Sequence, residues 1–99
     1  MHATVRRMKC KPGKVDEVAD LIENEYIPQL AELPGVVSFT LVHNGHDELT
    51  SLGIFTSETG AIAATGLAKL WVNERLSRLG TPLEDLDGEI LVYAALPSD

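Results

Sequence analysis

The sequence has few of the residues that cross-link a chain or anchor it in a membrane. It contains one cysteine, Cys10, among 99 residues, so an internal disulfide is excluded and a cytoplasmic location is expected. No apolar run approaches the roughly 20 residues that a membrane-spanning helix needs. The first residues contain no apolar signal-peptide core, so export by that route is not expected.

Positive charge is also scarce. Eight Lys and Arg residues stand against 15 Asp and Glu residues, which gives a net charge of −7. Such a chain repels a polyanion on average, so nucleic acid is not an expected partner. Strand alternation separates Arg6 from Arg7 and Lys9, so the basic residues near the start of the chain do not form one continuous patch.

What the sequence does contain is a fixed order of strand-like and helix-like segments. Strand-like runs cover residues 2–10, 36–43, 49–56 and 89–96, and helix-like stretches cover residues 15–33 and 58–79. This β-α-β-β-α-β order predicts an α+β, ferredoxin-like fold. A single domain over residues 1–99 is therefore expected, with a four-stranded antiparallel sheet and two helices on one face.

Local signals predict how these elements are joined. Gly13 is a candidate N-cap of the first helix, and Pro28 interrupts that helix. Asn44-Gly45 predicts a two-residue type I′ hairpin turn. Thr56 or Ser57 is expected to cap the second helix, and residues 83–88 read as a polar connection before the last strand.

Apolar residues occupy both faces of two of the predicted strands. In residues 89–96 the two faces carry Ile90 and Val92 against Leu91 and Tyr93. In residues 49–56 they carry Leu49 and Phe55 against Leu52 and Ile54. Two helices cover only one face of a sheet, so the other face needs a second sheet. The pattern therefore predicts a homodimer.

Three short segments resemble a known family. They are KPGKVDE at residues 11–17, LPGV at residues 33–36 and WVNERL at residues 71–76. With the element order they resemble the dimeric α+β barrel superfamily, and more narrowly the antibiotic-biosynthesis-monooxygenase-like (ABM) domains. The resemblance implies a ligand pocket between the sheet and the helices of each subunit. The members of this superfamily include cofactor-independent oxygenases of polyketide-like aromatics, haem-degrading monooxygenases and lactone isomerases.

The residues argue against the haem-degrading branch. That branch has an Asn on strand one, a Trp at the end of strand three and an iron-binding His on helix two. The matching positions here hold Arg6 and Phe55, and the second helix contains no histidine. No cofactor is therefore expected.

Four residues are candidates for the site. Arg6 shares a strand face with Met8, the side on which the resemblance places the pocket. Its guanidinium could stabilise a carboxylate, phenolate or enolate, or could instead pair with a helix acid. The residues predicted to line the pocket are Tyr26, Phe55 and Trp71, which could equally be plain core.

Two other groups of polar residues give weaker indications of function. His43, His46, Asp47 and Glu48 flank the hairpin turn, but their spacing is not specific for a metal, and no metal is expected. Cys10 has no partner for nucleophilic catalysis and reads as a small buried residue.

Two functions remain open. The first is cofactor-independent oxidation of a small acidic aromatic or polyketide-like molecule, with Arg6 stabilising the anion and the aromatic residues positioning the ring. The alternative is a non-catalytic dimer that binds a small ligand or takes part in a stress response. An isomerase would need a general base in the pocket, and only His43 is a candidate for it.

Overall fold

The computed structural model describes residues 1–97. Its strands and helices follow the predicted order, and the ferredoxin-like fold is confirmed. The elements are β1 His2–Cys10, α1 Val15–Leu21, a π-helical turn Ile22–Tyr26, α2 Ile27–Leu30, β2 Val36–His43, β3 Glu48–Phe55, α3 Glu58–Arg75 and β4 Gly80–Glu89.

The four strands form one antiparallel sheet in the order β2-β3-β1-β4. Strand β1 is central, and its Arg6 lies opposite Ser51 of β3 on one side and Asp85 of β4 on the other. The core lies between one face of this sheet and the helices. Its buried residues include Val18, Ile22, Tyr26, Leu30, Leu49, Phe55, Ala61, Ala64, Ala68, Trp71 and Leu76.

The prediction of the last strand is wrong in position. It was expected at residues 89–96, but β4 covers Gly80–Glu89, and residues 83–88 are strand rather than connection. Residues 76–79 join α3 to β4. Lys11 N–H donates to the Leu79 carbonyl at 2.8 Å, and Gly80 then lies opposite Cys10, so pairing with β1 begins at once. Acidic residues are tolerated there because β4 is an edge strand exposed to water.

The first helix is less regular than predicted. It begins at Val15, with Lys14 rather than Gly13 at the N-cap, and it ends at Leu30 rather than residue 33. The π-helical turn lies just before Pro28, whose ring would clash with the carbonyl four residues earlier in a regular α-helix.

The second predicted helix is regular but shorter. It ends at Arg75 rather than at residue 79. The Ser57 side chain accepts a hydrogen bond from Gly60 N–H at 3.3 Å, so Ser57 rather than Thr56 is the N-cap.

The connection between β2 and β3 also differs from the prediction. It spans residues 44–47 rather than two residues, and the positive φ angles fall at Gly45 (106°) and Asp47 (56°). Asn44 therefore does not take the conformation that a type I′ turn requires. Asp47 is held in place because its carbonyl accepts a 2.7 Å hydrogen bond from Cys10 N–H.

Two glycines allow a matched test of backbone conformation. Gly35 has φ of 82°, and a Cβ there would lie 2.6 Å from Thr56 Oγ1. We expect Gly35→Ala to lower the free energy of unfolding by about 1–3 kcal/mol. Gly66 lies in α3 with open space around it, so Gly66→Ala should raise that free energy by up to about 1 kcal/mol. Urea titrations of both variants check the opposite signs, and a loss in both would contradict this account of Gly66.

None of the helices searched, all within residues 1–97, is long and apolar enough to cross a membrane.

Candidate active site

A pocket of about 70 Å³ lies between the sheet and the helices. Three of the four residues predicted for the site line it together: Arg6 from β1, Tyr26 from the π-helical turn and Trp71 from α3. The rest of its wall is mostly apolar and consists of Met8, Ile22, Phe39, Leu41, Leu49, Ser51, Ala68, Val72 and Leu76. The pocket is therefore an apolar recess with one cationic group in its wall.

Arg6 is the distinctive group of this pocket. One of its terminal nitrogens donates to Thr65 Oγ1 at 2.6 Å, and Thr65 in turn donates to the Ala61 carbonyl at 2.9 Å. Its Nε is buried and has no hydrogen-bond partner within the described residues. No carboxylate of residues 1–97 lies within 4.0 Å of its guanidinium. A part-buried cation with a free donor is suited to bind an anionic oxygen.

Two other arginines, unlike Arg6, pair with carboxylates. Arg7, on the opposite face of β1, is 3.2 Å from a Glu48 oxygen and 3.9 Å from Glu84. Arg75 forms two hydrogen bonds with the Glu25 carboxylate, at 2.7 and 2.9 Å. The chain has almost twice as many acidic as basic side chains. The pocket around Arg6 therefore stands out, because it places no carboxylate of the described residues beside the guanidinium.

Three aromatic side chains pack beside one another at the pocket wall. The ring centroids of Tyr26 and Trp71 are 5.3 Å apart, and those of Tyr26 and Phe39 are 5.6 Å apart. Both pairs are tilted, at 43° and 60°. This is the separation at which aromatic rings attract one another, so the three rings form one packed aromatic cluster at the pocket wall.

The Arg75–Glu25 pair joins the first helix to α3 beside Trp71. The hydrogen bond from Arg75 is the main cause that lowers the pKa of Glu25, and the nearby indole N–H of Trp71 is a smaller one. That indole nitrogen is buried and makes no well-formed hydrogen bond with the described residues. The indole N–H is thus drawn toward Glu25 without being fully satisfied by it.

A second, larger pocket of about 280 Å³ adjoins the first. The two share Arg6, Met8, Ala68 and Val72, and the outer pocket adds Arg7, Lys69, Pro82 and Asp85. An engineered apolar cavity of about 150 Å³ in another protein holds benzene, and the inner pocket, at about 70 Å³, has less than half that volume. A ring-sized ligand would extend from the outer pocket toward the inner one, past Arg6.

Sequence reasoning missed two residues of this site. Phe39 supplies the aromatic surface that was assigned to Phe55. Its signal was the alternation of Phe39 and Leu41 on one face of β2. Asp85 lies opposite Arg6 in the sheet and lines the outer pocket. It was missed because residues 83–88 were read as a connection.

Phe55 lies elsewhere than was predicted. It is 1% exposed, belongs to the core and lines neither pocket. Its ring packs against Gly53, where an added Cβ would meet it at 3.0 Å. Tyr93 lies beyond β4, outside both pockets.

The histidines of the β2–β3 connection do not gather into a metal site. Within residues 1–97, no group of three or more His, Cys, Asp or Glu side chains is arranged to hold a metal ion. Cys10 is buried and free, and burial raises the pKa of its thiol, which disfavours the nucleophilic thiolate.

Tyr26 provides a pH-dependent prediction. Burial raises the pKa of its hydroxyl above the ordinary value of 10.0, and the Arg6 charge only partly opposes this. In a Tyr93→Phe variant, where Tyr26 is the sole tyrosine, the ultraviolet titration should therefore have its midpoint above pH 10. The Tyr26 hydroxyl therefore contributes to the free energy of unfolding. This contribution is fully present below the pKa of tyrosine in the unfolded chain, and it is lost as the pH rises through the higher pKa of Tyr26 in the folded protein. A midpoint at or below that of the unfolded chain would contradict the burial of this hydroxyl.

Comparisons with known proteins give structural matches only. No family model matches the chain, and neither does any curated protein. Among solved structures, NE2512, a protein of unknown function from Nitrosomonas europaea, has a TM-score of 0.78 and 22% identity over 99% of this chain and 95% of that one. SnoaB, a cofactor-independent oxygenase from Streptomyces nogalater, has a TM-score of 0.74 and 19% identity over 98% and 97%.

A third match is a protein of the same fold from an uncultured organism. A dimeric ferredoxin-like protein from an uncultured marine organism has a TM-score of 0.73 and 10% identity over 97% of this chain and 100% of that one. At these identities the matches describe the fold. This chain therefore shares its fold with these proteins, which agrees with the fold that the sequence resemblance implied.

Proposed function

We propose that this protein is a cofactor-independent monooxygenase that acts on a small acidic aromatic or polyketide-like molecule. The observation that carries the proposal is the Arg6 guanidinium, which lines an aromatic pocket with a free buried Nε and no carboxylate partner in the described part of the chain. SnoaB, which shares the fold, is a cofactor-independent oxygenase and adds support.

The residues of the two pockets have distinct roles in this proposal. Asp85, at the outer pocket, takes a proton from an acidic CH₂ group of the substrate. Arg6 stabilises the enolate that forms, because its charge and its free N–H face the developing negative oxygen. Tyr26, Trp71 and Phe39 hold the ring. Tyr26 is protonated at neutral pH, as an ordinary tyrosine is, and burial raises its pKa further.

The substrate supplies the electrons, and dioxygen is the oxidant. The enolate carbon bonds to dioxygen to give a hydroperoxide. Loss of water from that hydroperoxide breaks the O–O bond and leaves a carbonyl. The CH₂ carbon loses four electrons, and the two oxygen atoms gain them, one in the product and one in water.

We also propose that the protein works as a cytoplasmic homodimer. The sheet face away from the helices exposes Val42, Leu52 and Leu86, of which Leu52 belongs to the two-sided apolar pattern of the sequence. A structural neighbour is described as dimeric. The single buried free cysteine is in keeping with a reducing compartment.

Isotope incorporation tests the proposed reaction. Metal-free protein is incubated with ¹⁸O₂ and anthrone, an aromatic ketone with an acidic CH₂ group. We expect one ¹⁸O atom in the quinone product and one in water, at a rate well above the buffer background. Turnover at background rate with anthrone and with smaller acidic aromatic ketones would contradict the proposal.

Asp85 has a matched control on the same strand. Asp85→Asn removes the proposed proton acceptor and should slow turnover by about 10²-fold or more. Asp87 lies two residues further along, opposite Thr4, and its carboxylate is 3.1 Å from His2 rather than at a pocket. Asp87→Asn should leave turnover unchanged, and an equal loss in both variants would remove Asp85 from the mechanism.

The second candidate function is binding without reaction. The lining of the inner pocket favours it, because the residues described there include no carboxylate or imidazole that could act as a general base. The two functions separate in one experiment: a binding protein retains an acidic aromatic ligand tightly but shows no ¹⁸O in it.

A further inference from the structure

Met8 lies where the two pockets meet. It is half-buried in strand β1 and lines both pockets. Among the described residues it is the one sulfur-containing side chain that lines either of them. A thioether is polarizable and can be oxidised to a sulfoxide, so Met8 places an oxidisable atom where a ligand would lie.

The other two sulfur-containing residues lack this combination. Met1 is 45% exposed and lines neither pocket. Cys10 is 2% exposed and lines neither pocket, and burial raises the pKa of its thiol, which disfavours the reactive thiolate. An oxidant in water therefore reaches Met1 first, whereas an oxidant held in the pocket meets Met8.

The surroundings of Met8 bring it close to Arg6. The two residues share a strand face and line the same two pockets. Their Cα atoms are about 7 Å apart along the strand, a gap that two long side chains on one face can close. The other side is confined, because a Cβ on Gly80 would lie 3.0 Å from the Met8 Cε. An oxygen atom added to the Met8 sulfur therefore takes up space at the junction of the pockets.

We propose that Met8 reduces organic hydroperoxides that reach this pocket, and that Arg6 then holds the sulfoxide oxygen. The inference rests on the proposed function, whose hydroperoxide intermediate is the source of the oxidant. The Met8 sulfur takes the distal oxygen of the hydroperoxide, so the O–O bond breaks and an S=O bond forms. The proton of that oxygen moves to the remaining one, and the hydroperoxide leaves as an alcohol. The sulfur loses two electrons, and the peroxide gains them.

The sulfoxide changes what the pocket can bind. Oxidation turns an apolar side chain into a polar one whose oxygen accepts hydrogen bonds. The Nε of Arg6 is a buried donor without a partner among the described residues, so it is available to that oxygen. An occupied donor no longer serves an anionic ligand, and the added atom narrows a pocket of only about 70 Å³. Oxidation of Met8 therefore turns off the anion site.

Selective oxidation tests the site without any need for turnover. The intact protein is treated with cumene hydroperoxide, which is aromatic, or with hydrogen peroxide, and peptide mass spectrometry measures the oxidation of each methionine. Exposed Met1 is the internal control. We expect the ratio of Met8 to Met1 oxidation to be at least about 10-fold higher with cumene hydroperoxide. Equal ratios for the two oxidants would overturn the proposal.

Ligand affinity before and after this treatment tests the role of Arg6. Calorimetry should show that 2-hydroxybenzoate binds the oxidised protein at least about 10-fold more weakly. The control is Met8→Leu, a substitution of similar volume, whose own affinity should be the same before and after treatment. An unchanged affinity despite the Met8 sulfoxide would overturn the part played by Arg6. If the untreated protein binds no 2-hydroxybenzoate, the proposed function is contradicted, and the oxidation ratio still decides for or against Met8.

Turnover of anthrone under ¹⁸O₂ links the step to the proposed reaction. We expect ¹⁸O to enter the Met8 sulfoxide as turnover proceeds, together with the matching alcohol of anthrone, while Met1 stays unlabelled. Sustained turnover with no ¹⁸O in Met8 would keep the monooxygenase and overturn Met8 as a reductant of its intermediate.

Discussion

Replacing Arg6 with glutamine should weaken the binding of an acidic aromatic ligand by about 10- to 100-fold. A hydrogen bond to a charged group contributes about 1.5–3 kcal/mol, and the Arg6 guanidinium is the one cationic group lining the inner pocket among the described residues. Calorimetric titration of the variant and the parent with 2-hydroxybenzoate measures the change. The turnover of anthrone should fall with the affinity or further, since Arg6 also faces the developing charge.

Stability should move differently from binding in this variant. Arg6 Nε is buried without a partner, so its removal eliminates an unsatisfied donor, and Thr65 retains its bond to Ala61. The free energy of unfolding of Arg6→Gln should therefore be unchanged or higher. Arg78→Gln is the matched control, because Arg78 is an exposed arginine that lines neither pocket. Unchanged affinity and turnover in Arg6→Gln would remove this residue from the site.

Replacing Phe55 with alanine should lower the free energy of unfolding by about 3–5 kcal/mol. The side chain is among the largest fully buried ones, and its loss leaves a cavity in the core. Such a loss is a large part of the stability of a domain of this size. Thermal unfolding followed by circular dichroism measures it, with Phe55→Leu as the milder variant if the alanine form does not fold.

Phe39 gives the opposite pattern to Phe55. It is half-buried and lines the inner pocket, so Phe39→Ala should cost less stability and more ligand affinity. These are the two phenylalanines of the chain, which makes the comparison a matched one. A ligand affinity that falls in Phe55→Ala but not in Phe39→Ala would restore the assignment made from the sequence.

The sequence predicts the fold well where apolar periodicity dominates. Strand β1 and strand β2 have the predicted bounds. The apolar residues Val18, Ile22, Tyr26 and Leu30, which recur at helical spacing in the sequence, are buried. Periodicity fails at the end of the chain, where the most strand-like residues, 90–96, lie outside the sheet and the polar residues before them form β4. The reason is that an edge strand is defined by its partner β1 rather than by its own apolar content.

The residues that line the pocket are likewise predictable only where the strand or helix that carries them is correctly placed. Arg6, Tyr26 and Trp71 line one pocket because each belongs to an element whose inward face was correctly assigned. Phe55 was placed by its position in the family pattern, and the core rather than the pocket takes it. Asp85 lies on the strand that was misplaced, and its position opposite Arg6 in the sheet is visible only once the register of β1 and β4 is known.

The most direct test of the central claim is a comparison of an anion with its neutral analogue at the Arg6 pocket. Trp71 is the sole tryptophan of the chain and lines that pocket, so its fluorescence reports occupancy without a label. We predict that 2-hydroxybenzoate changes this fluorescence saturably and that its neutral amide of the same size binds at least about 10-fold more weakly. Equal affinity for the two compounds, or no saturable change with either, would contradict an anion-binding aromatic site.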